Sequence, residues 1–261
     1  MPLADRFDGL LIDLDGVVWI GREPVPGSPQ ALRTLLEAGK RVIFVTNNPG
    51  RLPQAYAERL RDLGVEVGPE QIVTAGMVVA RLAGEAAAAA GGTAFVIGAG
   101  PLKEMVAATG ARLLEGDEAE SADVVVASGH KGFDYAELRT AKFALDRGAR
   151  LFATSHDPTM PYPGGELPGT GAVLAAIEVA SGKQATIAGK PERHLFEMAK
   201  QAAGKGRLAM VGDRISSDID GGREAGLETV LVLSGTTTRE QAEAADPGPD
   251  HVLDDLAALL K

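Results

Sequence analysis

The chain has 261 residues, of which 45% are hydrophobic and 24% charged, values that suit a globular protein and argue against general disorder. Its 26 basic residues face 36 acidic ones, for a formal charge of −10; no basic run stands out, which disfavours nucleic-acid binding. There is no cysteine, which excludes disulfides, thiolate catalysis and Cys-ligated zinc, and four histidines leave little material for a histidine metal site.

The start, Met1 to Asp8, carries acidic residues and does not read as a signal peptide. No segment reaches the roughly 18 apolar residues of a spanning helix, so the expectation is a cytoplasmic protein with no membrane partner. Gly9–Leu14 is an apolar run ending in acidic residues and reads as a buried parallel strand. Ser28–Ala38 carries Ala31, Leu32, Leu35 and Leu36 at helical spacing, and Gly39 stops it. Arg41–Val45 is a second strand, Thr46-Asn47-Asn48-Pro49-Gly50 a polar loop, and Pro53–Leu63 a helix closed by Gly64. This order is the signature of βαβ units.

Met77–Ala90 is an Ala-rich helix, broken by Gly91-Gly92 before a strand at Ala94–Ile97. Gly98-Ala99-Gly100 then reads as a turn, since Lys103 holds the place of the third glycine of a nucleotide loop. Strands follow at Val124–Ala127 and Arg150–Ala153, with a helix at Tyr135–Arg147 between them. Ser155–Gly169 is rich in turn residues, and Gly171–Ala180 reads as a helix. Strands at Arg207–Val211 and Thr229–Leu233 alternate with helices at His194–Ala203 and Gly221–Ala225. The expected class is α/β, with two βα-rich stretches, 1–76 and 183–261, flanking a middle βα stretch, 77–182.

Four segments carry chemistry. Asp13-Leu14-Asp15-Gly16-Val17 places two carboxylates at the end of an apolar strand, where open α/β sheets bind ligands. Asp13 is suited to attack phosphorus and Asp15 to handle a proton; a solvated Asp pair is the alternative. Met210-Val211-Gly212-Asp213 ends another strand, and Asp218 follows. With Asp13 they supply the hard oxygen ligands of Mg²⁺. Asp218 reads equally as an N-cap or first-turn residue before the Gly221–Ala225 helix, and both roles are compatible. Thr46, Asn47 and Asn48 suit phosphate oxygens, and suit ordinary turns as well. Lys190, in Gly189-Lys190-Pro191, offers an ammonium to the transferring group. No GxSxG or GxxxxGK[ST] pattern is present, so serine esterase and P-loop readings fall away.

Together these four segments resemble the haloacid-dehalogenase-like hydrolase superfamily, and within it the NagD/4-nitrophenylphosphatase type. The resemblance runs over nearly the whole chain. It implies a Rossmann-like core with a parallel sheet plus an inserted α/β cap, the latter corresponding to the middle stretch. It implies a Mg²⁺-dependent phosphatase in which Asp13 forms an aspartyl-phosphate and ligates the metal. Asp15 would be general acid and base and would ligate through its backbone carbonyl. Thr46 and Asn47 would grip the phosphoryl group with Asn48 nearby, and Lys190 would steady nucleophile and phosphate. Asp213 would ligate the metal, and Asp218 would support it directly, through water or through Lys190.

The cap would select the leaving group through a loop at Thr154–Pro158 and Gly169-Thr170-Gly171, with His156 as a candidate substrate contact or a plain polar loop residue. Relatives often carry Asn-Pro-Asp where this chain has Ser155-His156-Asp157, and an acidic or amide residue followed by Thr where it has Ser216-Ser217. The expected partner is a small phosphorylated metabolite: a nucleoside monophosphate, phosphoglycolate, a sugar or glycerol phosphate, or pyridoxal phosphate, with 4-nitrophenyl phosphate as an artificial substrate. A mutase and a non-catalytic phosphometabolite-binding protein are the other readings. Relatives often dimerise, sometimes through the cap, so a homo-oligomer is possible here, and the sequence leaves that state open.

Overall fold

The computed structural model describes residues 1–162 and 165–261. The chain divides into two compact units. The first comprises Met1–Thr46, Pro53–Val73 and Lys190–Lys261, and the second Asn47–Leu52 and Thr74–Gly189.

A six-stranded sheet forms the centre of the first unit. Its order is His251–Leu253, Glu228–Val232, Leu208–Gly212, Gly9–Asp13, Arg41–Thr46 and Ile72–Thr74. Gly9–Asp13 is flanked by parallel neighbours on both sides and is buried along its whole length, which is why it reads as an unbroken apolar run. The chain leaves this strand toward one edge of the sheet through Arg41–Thr46, and returns later on its other side through Leu208–Gly212. The reversal makes the carboxyl end of Gly9–Asp13 the switch point of the sheet, where such folds bind ligands. Leu10, Ile12, Phe44 and Val211 share one core with Leu32 and Leu35 of the helix Ser28–Glu37 and with Tyr56 and Leu60 of the helix Pro53–Asp62. The helix Arg193–Ala203 buries Leu195, Phe196, Ala199 and Ala203.

The second unit has its own five-stranded sheet, in the order Thr186–Ile187, Arg150–Ala153, Val124–Ala127, Thr93–Ile97 and Arg112–Leu113, paired in parallel throughout. Phe95, Val125, Leu145, Leu151, Leu174 and Ile177 share its core. This is the inserted α/β cap. Its limits differ from the sequence expectation of 77 and 182. Thr186–Ile187 is a cap strand because it pairs with Phe152 and Ala153, which carries the second boundary to Gly189.

Other elements escaped the sequence reading. Trp19–Ile20 pairs antiparallel with Glu23–Pro24. Thr159–Tyr162 and Gly165–Pro168 form an antiparallel ribbon inside the stretch read as turns, whose Pro163 and Gly164 lie outside the described residues. Prolines at 161 and 168 argue against a strand in sequence, yet a two-stranded ribbon has free edges that tolerate them. Gly100, read as part of a turn, opens the helix Gly100–Ala107. Among the described residues no helix is long and apolar enough to cross a membrane.

Phe44 is fully buried in the core sheet. Phe44→Ala should cost about 3–5 kcal/mol of core stability, read from the denaturant midpoint of the core transition. A cost below about 1 kcal/mol would show that this side chain is not part of a close-packed core.

Candidate active site

Three adjacent strands of the core sheet deliver functional groups at their carboxyl ends. Asp13 is the last residue of the central strand, level with Val45 of its neighbour, and Thr46 ends that neighbour. On the other side Ile12 is level with Val211, so Gly212 ends the third strand and Asp213 follows it. Parallel register therefore sets the side chains of Asp13 and Asp213 close together.

Asp218 arrives differently. Ile215–Ile219 is a single π-helical turn, a form that often marks functional sites. The turn buries Asp218 completely and lets its Oδ2 accept the backbone N–H of Arg214 at 3.0 Å. The helix Asp220–Glu224 that follows takes no side-chain cap from Asp218, which stands instead in the first turn of Ile215–Ile219 and serves the N–H of Arg214 just before it. Carboxylate oxygens of Asp13, Asp213 and Asp218 all lie within 4.8 Å of one another. Lys190 completes the cluster: its Nζ lies 2.8 Å from Asp13 Oδ1 and 2.6 Å from Asp218 Oδ1, and it is only 3% exposed.

The charges are out of balance. Three buried carboxylates share one ammonium, which leaves two negative charges in a low-dielectric setting. Burial pushes the Asp13 carboxyl well above its ordinary range; Lys190 opposes this, and the charges of Asp218 and Asp213 add to it. Asp213 is raised by burial and by Asp218, against the hydrogen bond from Thr236. For Lys190 burial works downward, but Asp13 and Asp218 outweigh it and hold the ammonium above its usual value. The donor set fits a divalent, hard, oxygen-seeking cation, which would cancel the excess charge, and Asp13, Asp213 and Asp218 would hold it.

The rest of the first motif surrounds this cluster. Asp15, two residues after Asp13, is half-buried, and its Oδ1 accepts the indole N–H of Trp19 at 3.0 Å. Gly16 has φ +89, and a Cβ there would overlap the Asp213 carboxylate. Gly235 is equally close to Asp213 from the next strand's loop. In that loop Thr236 N–H donates to Asp213 Oδ2 at 2.6 Å, and Ser234 Oγ donates to the Gly16 carbonyl at 2.7 Å. The sequence reading missed Ser234, Gly235 and Thr236. The available signal was positional, since they follow an apolar strand at the same end of the sheet as Asp13 and Asp213.

Asn47, Asn48 and His156 belong to the cap unit. The Asn47 side-chain amide donates to Asp157 Oδ2 at 3.0 Å. Asn48 Oδ1 accepts the Gly50 N–H at 2.9 Å and closes a turn. His156 is exposed after the cap strand Arg150–Ala153.

Residues 10–112 match the family described as haloacid dehalogenase-like hydrolase, and residues 187–259 a HAD-hydrolase-like family. Mouse chronophin is 36% identical over 97% of this chain and 92% of its own. The chain belongs to the haloacid dehalogenase-like hydrolases. Among solved structures of these hydrolases, the glycerol phosphate phosphatase of Mycobacterium tuberculosis in complex with magnesium superposes with TM-score 0.90 at 35% identity, covering 100% of this chain and 78% of that one. The 4-nitrophenylphosphatase of Thermotoga maritima gives 0.88 at 33% identity, over 99% and 98%. The chain is thus a haloacid dehalogenase-like phosphatase of the NagD/4-nitrophenylphosphatase type, with a cap domain and a catalytic aspartate cluster.

The charge imbalance has a consequence for stability. A carboxyl whose value is raised on folding, as for Asp213, favours folding while protonated and costs stability as pH rises. At pH 8 in EDTA, Asp213→Asn should therefore melt about 2–4 °C above the native protein, the shift that about 1 kcal/mol gives at this size. Added Mg²⁺ should raise the melting temperature of the native protein and leave the variant unchanged. An equal rise in both would show that Asp213 does not hold the ion.

Proposed function

We propose that this phosphatase hydrolyses small phosphate monoesters through an aspartyl-phosphate on Asp13, with Asp15 as general acid and then general base. The observation that carries the reading is the Asp13 carboxylate at the switch point, fixed through Oδ1 by Lys190 and grouped with two further buried carboxylates. Lys190 holds the nucleophile in one orientation and offsets its charge toward an anionic phosphate. Mg²⁺, when bound among Asp13, Asp213 and Asp218, with the Asp15 carbonyl as a further ligand, supplies the charge neutralisation that lets an anionic carboxylate approach an anionic ester.

In the first step an oxygen of Asp13 bonds to phosphorus as the ester P–O bond breaks, and the leaving oxygen takes the proton of Asp15. In the second step Asp15 takes a proton from water, the water oxygen bonds to phosphorus, and Asp13 leaves as carboxylate. Thr46, buried at the end of the neighbouring strand, is assigned to the phosphoryl oxygens with Asn47 and Asn48. In this division of labour the core groups with Asn47 and Asn48 handle phosphate, and the loop that carries His156 handles the organic group, with His156 assigned to contact it. Among nucleoside monophosphates, phosphoglycolate, sugar phosphates, pyridoxal phosphate and glycerol phosphate, the last ranks first. Its support is the likeness to a glycerol phosphate phosphatase over the whole chain.

Rapid-quench trapping with labelled substrate tests the roles of the two aspartates. Native enzyme should carry label on Asp13, and Asp13→Asn should carry none and turn nothing over. Asp15→Asn should lose about 10²–10⁴-fold on glycerol phosphate. It should lose much less in the first step with 4-nitrophenyl phosphate, whose leaving group needs little protonation, and should accumulate phosphoenzyme. Label on Asp13→Asn, or label mapped to Asp15, would reverse the assignment.

A further inference from the structure

The residue that handles the proton is held by a part of the chain no motif marks. Directly after Asp13 the backbone folds back on itself. Val18 and Trp19 N–H both reach the Leu14 carbonyl, at 2.9 and 3.2 Å, and Gly16 N–H donates to the Trp19 carbonyl at 2.7 Å. This closed turn returns the Trp19 side chain to Asp15, where the indole N–H meets Oδ1 at 3.0 Å. Trp19 is 1% exposed, and a buried indole N–H needs an acceptor. The one it has found is the carboxylate assigned to acid–base work.

The indole is itself fixed. The Tyr56 ring stacks with it at a 3° interplanar angle and 6.5 Å between centroids. The Arg59 guanidinium sits 3.8 Å from the ring centroid, a cation–π contact. Arg59 Nη2 also donates to the Gly21 carbonyl at 2.7 Å, which ties the turn to the helix Pro53–Asp62.

We infer that Trp19 is a positioning residue for Asp15, an inference that rests on the acid–base reading of Asp15 given above. An indole N–H donates and cannot accept, so Oδ1 stays an acceptor and the transferable proton is carried on Oδ2. That proton passes from Oδ2 to the leaving oxygen as the ester bond breaks. In the second step Oδ2 receives the proton of the attacking water. The hydrogen bond also stops rotation of the carboxyl group, so the same oxygen faces the reacting atoms in both steps. A ring that merely filled the core would do none of this.

The test uses kcat/KM, which reports the phosphorylation step, on glycerol phosphate and on 4-nitrophenyl phosphate. Trp19→Phe keeps an aromatic ring beside Tyr56 and removes the N–H. It should lower kcat/KM about ten-fold or more for glycerol phosphate, within the range of a general acid, and change that for 4-nitrophenyl phosphate little. Arg59→Met, which keeps bulk and removes the cation, should show a smaller loss with the same contrast, and it serves if Trp19→Phe melts before assay temperature. In an Asp15→Asn background, adding Trp19→Phe should cost nothing further on glycerol phosphate. Equal losses on both esters, or an undiminished loss in the Asp15→Asn background, would overturn the proposal and leave Asp15 as it stands. An Asp15→Asn enzyme that treats both esters alike would remove the acid–base reading first and this inference with it.

Discussion

Lys190 lies buried between Asp13 and Asp218, with its ammonium in hydrogen-bond range of both. A buried ion pair stabilises little by itself, because desolvation of each charge costs several kcal/mol, but removing one partner costs about 3–5 kcal/mol. The arrangement is therefore hard to leave once formed. It also joins distant parts of the chain, since Lys190 precedes Asp218 by 28 residues and follows Asp13 across the inserted cap. The orientation of the Asp13 carboxylate is thus set by contacts that exist only in the complete core.

The same cluster shows function set against stability. Apolar replacement of the three carboxylates would suit the interior better, yet a site that binds a cation and an anionic ester must keep them charged. The backbone around Asp213 concedes the space: Gly16 and Gly235 carry no Cβ where one would strike its carboxylate. Thr236 N–H and the hydroxyl of Ser234 hold the two loops in place. The turn that carries Asp15 is likewise closed by Trp19, and Arg59 anchors that ring.

Much of this was legible in the sequence. The run Gly9–Asp13 is apolar because both its faces are covered, so the acidic residues that end it stand out. Asp213 repeats that pattern. Lys190 carries little local signal, because its meaning comes from carboxylates far away in the chain. The loop at Ser234–Thr236 acts mainly through backbone atoms, which composition does not register. Trp19 was hidden because a closed turn has no period. Short strands such as Ile72–Thr74 and His251–Leu253 were missed because three residues offer too little pattern. The cap boundary shifted because a two-residue strand, Thr186–Ile187, gains its identity only by pairing.

The excess negative charge of the buried cluster fits it to seat one divalent cation beside Asp13. A crystal structure grown with Mg²⁺ and inorganic phosphate tests it most directly. The expected map shows one ion among Asp13, Asp213 and Asp218, with a phosphate oxygen on it and the phosphorus facing the Asp13 carboxylate. Phosphate bound away from Asp13, or these three carboxylates without an ion at saturating Mg²⁺, would contradict it.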